Sequence, residues 1–167
     1  DTDLDARLNT TIQGDISGTG GLTYNGAGTL TLSSSNNTYS GTTTVNSGTL
    51  LVNGLHSNGT GYTVTDGASL GGTGTIDLAS GTVAVAQGGI LTPGASPGTL
   101  TVSDLSLADG SVYNWEATSG TLHDTIDAGA LTLPADGSTV YLNLSLYEPQ
   151  KLTNPTDLEL FSYDSLA

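Results

Sequence analysis

Apolar and polar residues alternate in short blocks along most of this chain: TLTL (29–32), TTTV (42–45), TLLV (49–52), YTVT (62–65), TVAV (82–85), ILT (90–92), TLTV (99–102), ALTL (130–133) and VYLNLSLY (140–147). Thr, Val, Leu and Tyr at period two, bounded by Gly, Asn, Asp and Ser, predict strands, and no helical period competes with them. The chain therefore reads as all-β. A Gly-Thr-apolar phrase opens many blocks, at Gly28, Gly48, Gly74 and Gly98 with a further copy at Gly81, so the main spacings are 20, 26 and 24 residues. Such a period predicts stacked coils of a β-solenoid, each lying about 4.7–4.9 Å from the next and unable to bury its apolar side alone. Leu30, Leu32, Leu50, Val52, Ile76, Val83, Val85, Leu100 and Val102 are the expected inward ladder, with the intervening threonines facing outward or along the stack.

A second texture begins near residue 103, with longer strands, the single Trp and two ADGS turns at Ala108–Ser111 and Ala135–Ser138. Asp-Gly between apolar runs is a hairpin signal, so antiparallel pairing is expected toward the C-terminus. The organisation is read as a repeat region over 1–102, and a C-terminal β region over 103–167 that continues or caps it as one structural unit.

Composition narrows the picture. Glycine fills 24 of 167 positions and aromatics are 5%, which suits a thin regular core better than a thick one. Two cations, Arg7 and Lys151, face 16 carboxylates for a net charge of −14. Phosphate backbones and anionic membrane surfaces both need Lys and Arg, so nucleic acid and such surfaces are poor partners, and no direct membrane insertion of the segment is expected. Without cysteine there is no disulfide or thiolate metal site, and packing and hydrogen bonds must hold the fold. No stretch has the apolar length of a spanning helix, and the N-terminal DTDLDAR has the wrong charge for a signal peptide.

Residues 20–54 resemble the autotransporter-associated β-strand repeat of bacterial autotransporter passengers. The resemblance rests on Gly20-Gly21-Leu22, Gly26, Gly28-Thr29-Leu30, Leu32, Asn37-Thr38-Tyr39, Gly41, Thr43, Val45, Gly48-Thr49-Leu50 and Val52-Asn53. LTPGASPGTLTV (91–102) is similar to the Pro-Gly turn segments of such passengers, and WEATSGTLHDTIDAGALTL (115–133) to their C-terminal portions. Tyr24, Ser34 and Ser47 depart from the pattern. The resemblance implies a right-handed parallel β-helix, secreted or displayed on the surface of a Gram-negative-type bacterium. It implies no particular activity, since a fold of this kind hosts several.

Candidate chemistry is sparse. Gly94-Ala95-Ser96-Pro97-Gly98 spells a nucleophile elbow, yet Pro97 lacks the N–H that the oxyanion requires. Gly71-Gly72-Thr73-Gly74-Thr75-Ile76-Asp77 nearly spells a calcium nonapeptide, with Ile76 where a carboxylate is needed. Glu116, Asp124 and Asp127, beside His123, form the densest ionisable cluster and are the candidate acids and bases of a carboxylate-dependent hydrolase of extracellular glycans or glycoproteins. Tyr24, Tyr39, Tyr62, Tyr113 and Trp115 are candidates to stack on sugars. Asn9, Asn36, Asn58 and Asn143 begin N-x-S/T triplets and read as turn formers and stacked amides. No metal site and no cofactor are expected. The leading expectation is a non-enzymatic structural or adhesive segment that contacts host glycans or glycoproteins; the hydrolase is the alternative. The acidic surface and raw strand edges also predict self-association through solenoid ends, favoured at acidic pH.

Overall fold

The protein is described by a computed structural model over residues 2–4, 9–94, 97–119, 122–146 and 161–166. Its strands fall into successive coils. β1 (Thr2–Leu4) and β2 (Thr10–Ile12) lead into β3 (Leu22–Tyr24) and β4 (Thr29–Leu32). The following coils are β5 (Thr43–Val45), β6 (Thr49–Val52) and β7 (Leu55–Ser57), then β8 (Tyr62–Val64), β9 (Ser69–Gly72) and β10 (Thr75–Asp77). β11 (Val83–Val85), β12 (Ile90–Pro93) and β13 (Thr99–Leu107) come next. β14 (Val112–Ser119), β15 (Leu122–His123), β16 (Thr125–Thr132), β17 (Tyr141–Leu146) and β18 (Phe161–Leu166) complete the chain.

Every strand but β15 pairs in parallel with a strand one coil away, which makes the molecule a three-faced β-solenoid. The first face runs β1–β3–β5–β8–β11 and continues into β13; the second runs β2–β4–β6–β9–β12–β14–β17; the third joins β7 and β10 to β13. β13 serves two faces without interruption, pairing Thr101 and Val102 with β10 and Leu105, Ser106 and Leu107 with β11. It thus crosses residue 103, where the texture of the sequence changes.

Inward positions form continuous ladders. On the second face Leu30, Leu50, Leu70, Leu91 and Tyr113 stand in register, and on the first Tyr24, Val45, Val64, Val85 and Leu107 do the same. All nine residues of the expected ladder are buried. The register nevertheless differs from the one the Gly-Thr phrases suggest. Thr49 aligns with Ser69, whereas Thr75 aligns with Leu55 and Thr101. The phrases at Gly74 and Gly98 belong to the third face, those at Gly28 and Gly48 to the second. A Gly-Thr pair marks the entry to a strand on any face, so its spacing mixes coil length with position around the coil.

The expected hairpins are relocated. Asp109-Gly110 and Asp136-Gly137 join strands of different faces, so they are coil corners rather than hairpin turns. Ser111 N–H donates to Ala108 O at 3.1 Å and Ser138 N–H to Ala135 O at 3.1 Å. Gly110 and Gly137 lie at φ of 77° and 89°, which the third residue of such a turn requires. Thr65-Asp66-Gly67-Ala68 and Ala86-Gln87-Gly88-Gly89 make the same corner, and Gly67 N–H donates to Gly88 O, Gly88 N–H to Gly110 O. The antiparallel pairing lies instead between β14 and β15, with Ala117 opposite His123.

Candidate functional site

On the outer side of the second face one position between two side chains carries none. Leu51, Gly71 and Thr92 align across β6, β9 and β12, so Gly71 leaves a place without a side chain between Leu51 and Thr92. A Cβ there would lie 2.0 Å from Thr92 O, so glycine is demanded by the approach of the next coil. Gly72, at φ 115°, would likewise meet Val52 O at 2.2 Å. These contacts explain the glycines of the calcium-like stretch, whose Ile76 is fully buried and whose Asp77 is exposed.

Beyond that gap the surface opens into a hollow of about 520 Å³. Leu51, Thr92, Pro93 and Gly94 line one side; Asn114 and Glu116 of β14 and Asn143 and Ser145 of β17 line the other, with Asp124 bordering it as well. Asn114 aligns with Asn143 and Glu116 with Ser145, and Asn143 Nδ2 donates to Asn114 Oδ1 at 2.8 Å. This is the stacked amide expected of Asn143. Asn58 fulfils the turn expectation with φ of 69°.

Asp124 is fixed in place. Its Oδ1 accepts from Gly98 N–H at 3.0 Å, its Oδ2 from Glu116 N–H at 3.1 Å, and its own N–H donates to Glu116 O at 2.8 Å. Burial raises its pKa above the usual carboxylate value; the two N–H donors pull it back, while the Glu116 charge pushes it up again. Burial also drives the Tyr113 hydroxyl upward, with Asp124 adding to the shift. Beside them the His123 ring stacks on Trp115, centroids 5.6 Å apart, and its Nδ1 donates to Asp124 O at 3.2 Å.

Of the three carboxylates expected to act together, Glu116 and Asp124 therefore meet at one hollow. Asp127 does not join them: it is exposed on β16, in register with Thr101 of the third face. Tyr24, Tyr39, Tyr62, Tyr113 and Trp115 are all at most 2% exposed. A sugar-stacking ring needs an open face, and these rings fill the coil interior instead. Ser96 lies outside the described residues. Among the described residues no group of three His, Cys, Asp or Glu side chains is placed to hold a metal ion.

A second polar set lies inside the coil. His56 occupies a third-face ladder position, between Asn37 and Ile76. Its Nε2 donates to Tyr39 O at 2.9 Å, so Nδ1 is left to accept from the Tyr62 hydroxyl at 2.7 Å. Tyr39 and Thr43 share a hydroxyl bond of 2.7 Å, and Asn37 Nδ2 donates to Ser34 O and Leu55 O. The alternation pattern treats these ladder positions as apolar and gives no signal for this network. Nothing in the sequence signals that Asn143 and Ser145 stand beside Glu116, because only the coil register brings β17 against β14.

Fold and surface together define a parallel β-solenoid with a polar hollow on one face. Residues 22–52, β3 through β6, match the passenger-associated-transport-repeat family. The chain is 48% identical over 87 residues to "Adhesin BmaC autotransporter" of Brucella suis biovar 1, covering 52% of this chain and 2% of that protein. It is 38% identical over 146 residues to "Extracellular serine protease" of Serratia marcescens, covering 87% of this chain and 13% of that protein. The chain thus spans a small part of either relative. It is an autotransporter passenger segment carrying this repeat, of the kind secreted or displayed at the surface of Gram-negative bacteria.

Proposed function

We propose that this segment is a non-enzymatic structural and adhesive section of its passenger, extending the molecule from the cell and contacting host glycans or glycoproteins. The observation that carries the structural half is the unbroken register of parallel coils, in which each coil adds about 4.8 Å of rigid length. The adhesive half is supported by the likeness to a protein named as an adhesin. Purified segment applied to host cells tests it: saturable binding that an excess of unlabelled segment displaces is expected, and binding no better than a blank control overturns adhesion and leaves a stalk.

A second reading, hydrolysis by paired carboxylates, is favoured by the meeting of Glu116 and Asp124 at one hollow. Against it, Asp124 is tied down by two backbone donors and acts as a brace between Gly98 and β14. Turnover of glycan or glycoprotein substrates that is lost in Asp124→Asn with the fold intact would establish hydrolysis; equal rates in both proteins would end it.

A further inference from the structure

We propose that the hollow on the second face is a binding subsite for an uncharged sugar residue, recognised through its hydroxyl groups. The proposal rests on the adhesive reading for its partner class and adds the place of contact. Its volume of about 520 Å³ falls within the range of about 300–1,000 Å³ typical of small-ligand sites. What selects the ligand is the mixture of hydrogen-bonding groups. The bond from Asn143 Nδ2 to Asn114 Oδ1 leaves Asn114 with its amide donors and Asn143 with its carbonyl acceptor. Ser145 brings a hydroxyl that can do either, and Glu116 brings carboxylate acceptors.

A ligand that both donates and accepts satisfies such a wall, and neighbouring sugar hydroxyls do so. An ammonium group only donates and would leave the Asn114 amide unanswered. An acidic sugar is repelled, because the chain carries a net charge of −14 and no Lys or Arg is among the described residues. Leu51 and Pro93 add apolar surface for the C–H side of a ring. The site is rigid by construction. Asn114 and Glu116 sit on a central strand, and Asp124 is pinned from two sides.

The test is a printed array of uncharged, amino-bearing and acidic glycans probed with the intact segment, alongside Glu116→Gln, Asn143→Ala and Ser145→Trp. Asn143 and Ser145 are exposed and Glu116 is half-buried, so the variants are expected to keep the thermal midpoint of the parent. Binding to uncharged glycans that weakens about tenfold or more in each variant supports the subsite. Host-cell adhesion that survives in all three variants, with the array silent, overturns the subsite while the adhesive reading stands. Loss of host-cell adhesion by the parent itself removes both. Selective capture of amino-bearing glycans would make the hollow a cation site and overturn recognition through hydroxyls.

Discussion

The His56 ring lies stacked on Tyr39, centroids 3.8 Å apart and planes inclined by 13°, while its Nε2 donates to the carbonyl of the same tyrosine at 2.9 Å. Tyr62 closes the other nitrogen. Among the described residues no carboxylate takes part in this network, and burial lowers the pKa of the ring from the ordinary histidine value, the bond to Tyr39 only partly opposing that. The unfolded chain takes up a proton near pH 6.5 and the folded chain resists it. Stability from this group is therefore full above about pH 6.5 and falls as the pH drops from there toward the folded pKa. Thermal midpoints of the parent and His56→Gln between pH 7.5 and 5 check it. The parent should lose midpoint more steeply than the variant; parallel curves would mean that His56 carries no such proton linkage.

The ladder register can be tested with one matched pair of variants. Leu50 is fully buried between Leu30 and Leu70, whereas Thr44 lies on the outer side of the first face beside Thr23 and Thr63. Leu50→Asp places an unpaired carboxylate between coils and should cost at least about 3 kcal/mol. Thr44→Asp should cost less than about 1 kcal/mol. Urea midpoints read both, and equal losses would contradict the register.

Asp124 and Asp127 are three residues apart and differ in role. Asp124→Ala leaves the N–H groups of Gly98 and Glu116 without their acceptor, a loss of about 2–4 kcal/mol. Asp127→Ala, on an exposed position, should stay within about 0.5 kcal/mol of the parent. The pH dependence has a definite sign. Because the folded pKa of Asp124 is raised, the folded state holds this proton more tightly than the unfolded one, and the parent should gain on Asp124→Ala as the pH falls through that raised value. Chemical denaturation of the three proteins at pH 7 and pH 4.5 measures both effects.

Period-two alternation was enough to name the inward residues, since Leu30, Leu50 and Val83 face inward wherever the coil is cut. It was not enough to align them. Ala68-Ser69-Leu70 lacks the Gly-Thr phrase and yet lies in register with Gly48-Thr49-Leu50. The better marker of coil length was the corner containing Gly67, Gly88, Gly110 and Gly137, whose variable neighbours hide it among ordinary turns. The site was less legible still. Glu116 and Asp124 were visible as a local cluster, but Asn143 and Ser145 beside them come from a strand about 30 residues away, and nothing local announces a contact set by stacking. The five aromatic residues went the other way. A thin coil has few large side chains, and those it has fill the interior before they serve the surface.

Self-association provides the last expectation. β17 lies at the end of the second face, and among the described residues no strand pairs its outer edge. Leu142 and Leu144 align with the buried Tyr113 and Trp115 but are 39% and 49% exposed, and Tyr141 is 57% exposed. A second copy of the chain meets that end with the same parallel geometry, burying the leucines and pairing free N–H and C=O groups. Charge opposes the contact at neutral pH, where the net charge is −14, although salt confines the repulsion to about 8–10 Å. Near the sequence pI of about 4.1 the repulsion falls away as carboxylates protonate. Sedimentation velocity should therefore show monomer at pH 7, with dimers or larger species at pH 4.5 and a smaller shift in the same direction at pH 7 with high salt. Leu142→Asn combined with Leu144→Asn should hold the protein monomeric at pH 4.5. Acid-induced assembly that persists in that double variant would place the contact elsewhere on the coil, and a parent that stays monomeric throughout would show that this end does not dock.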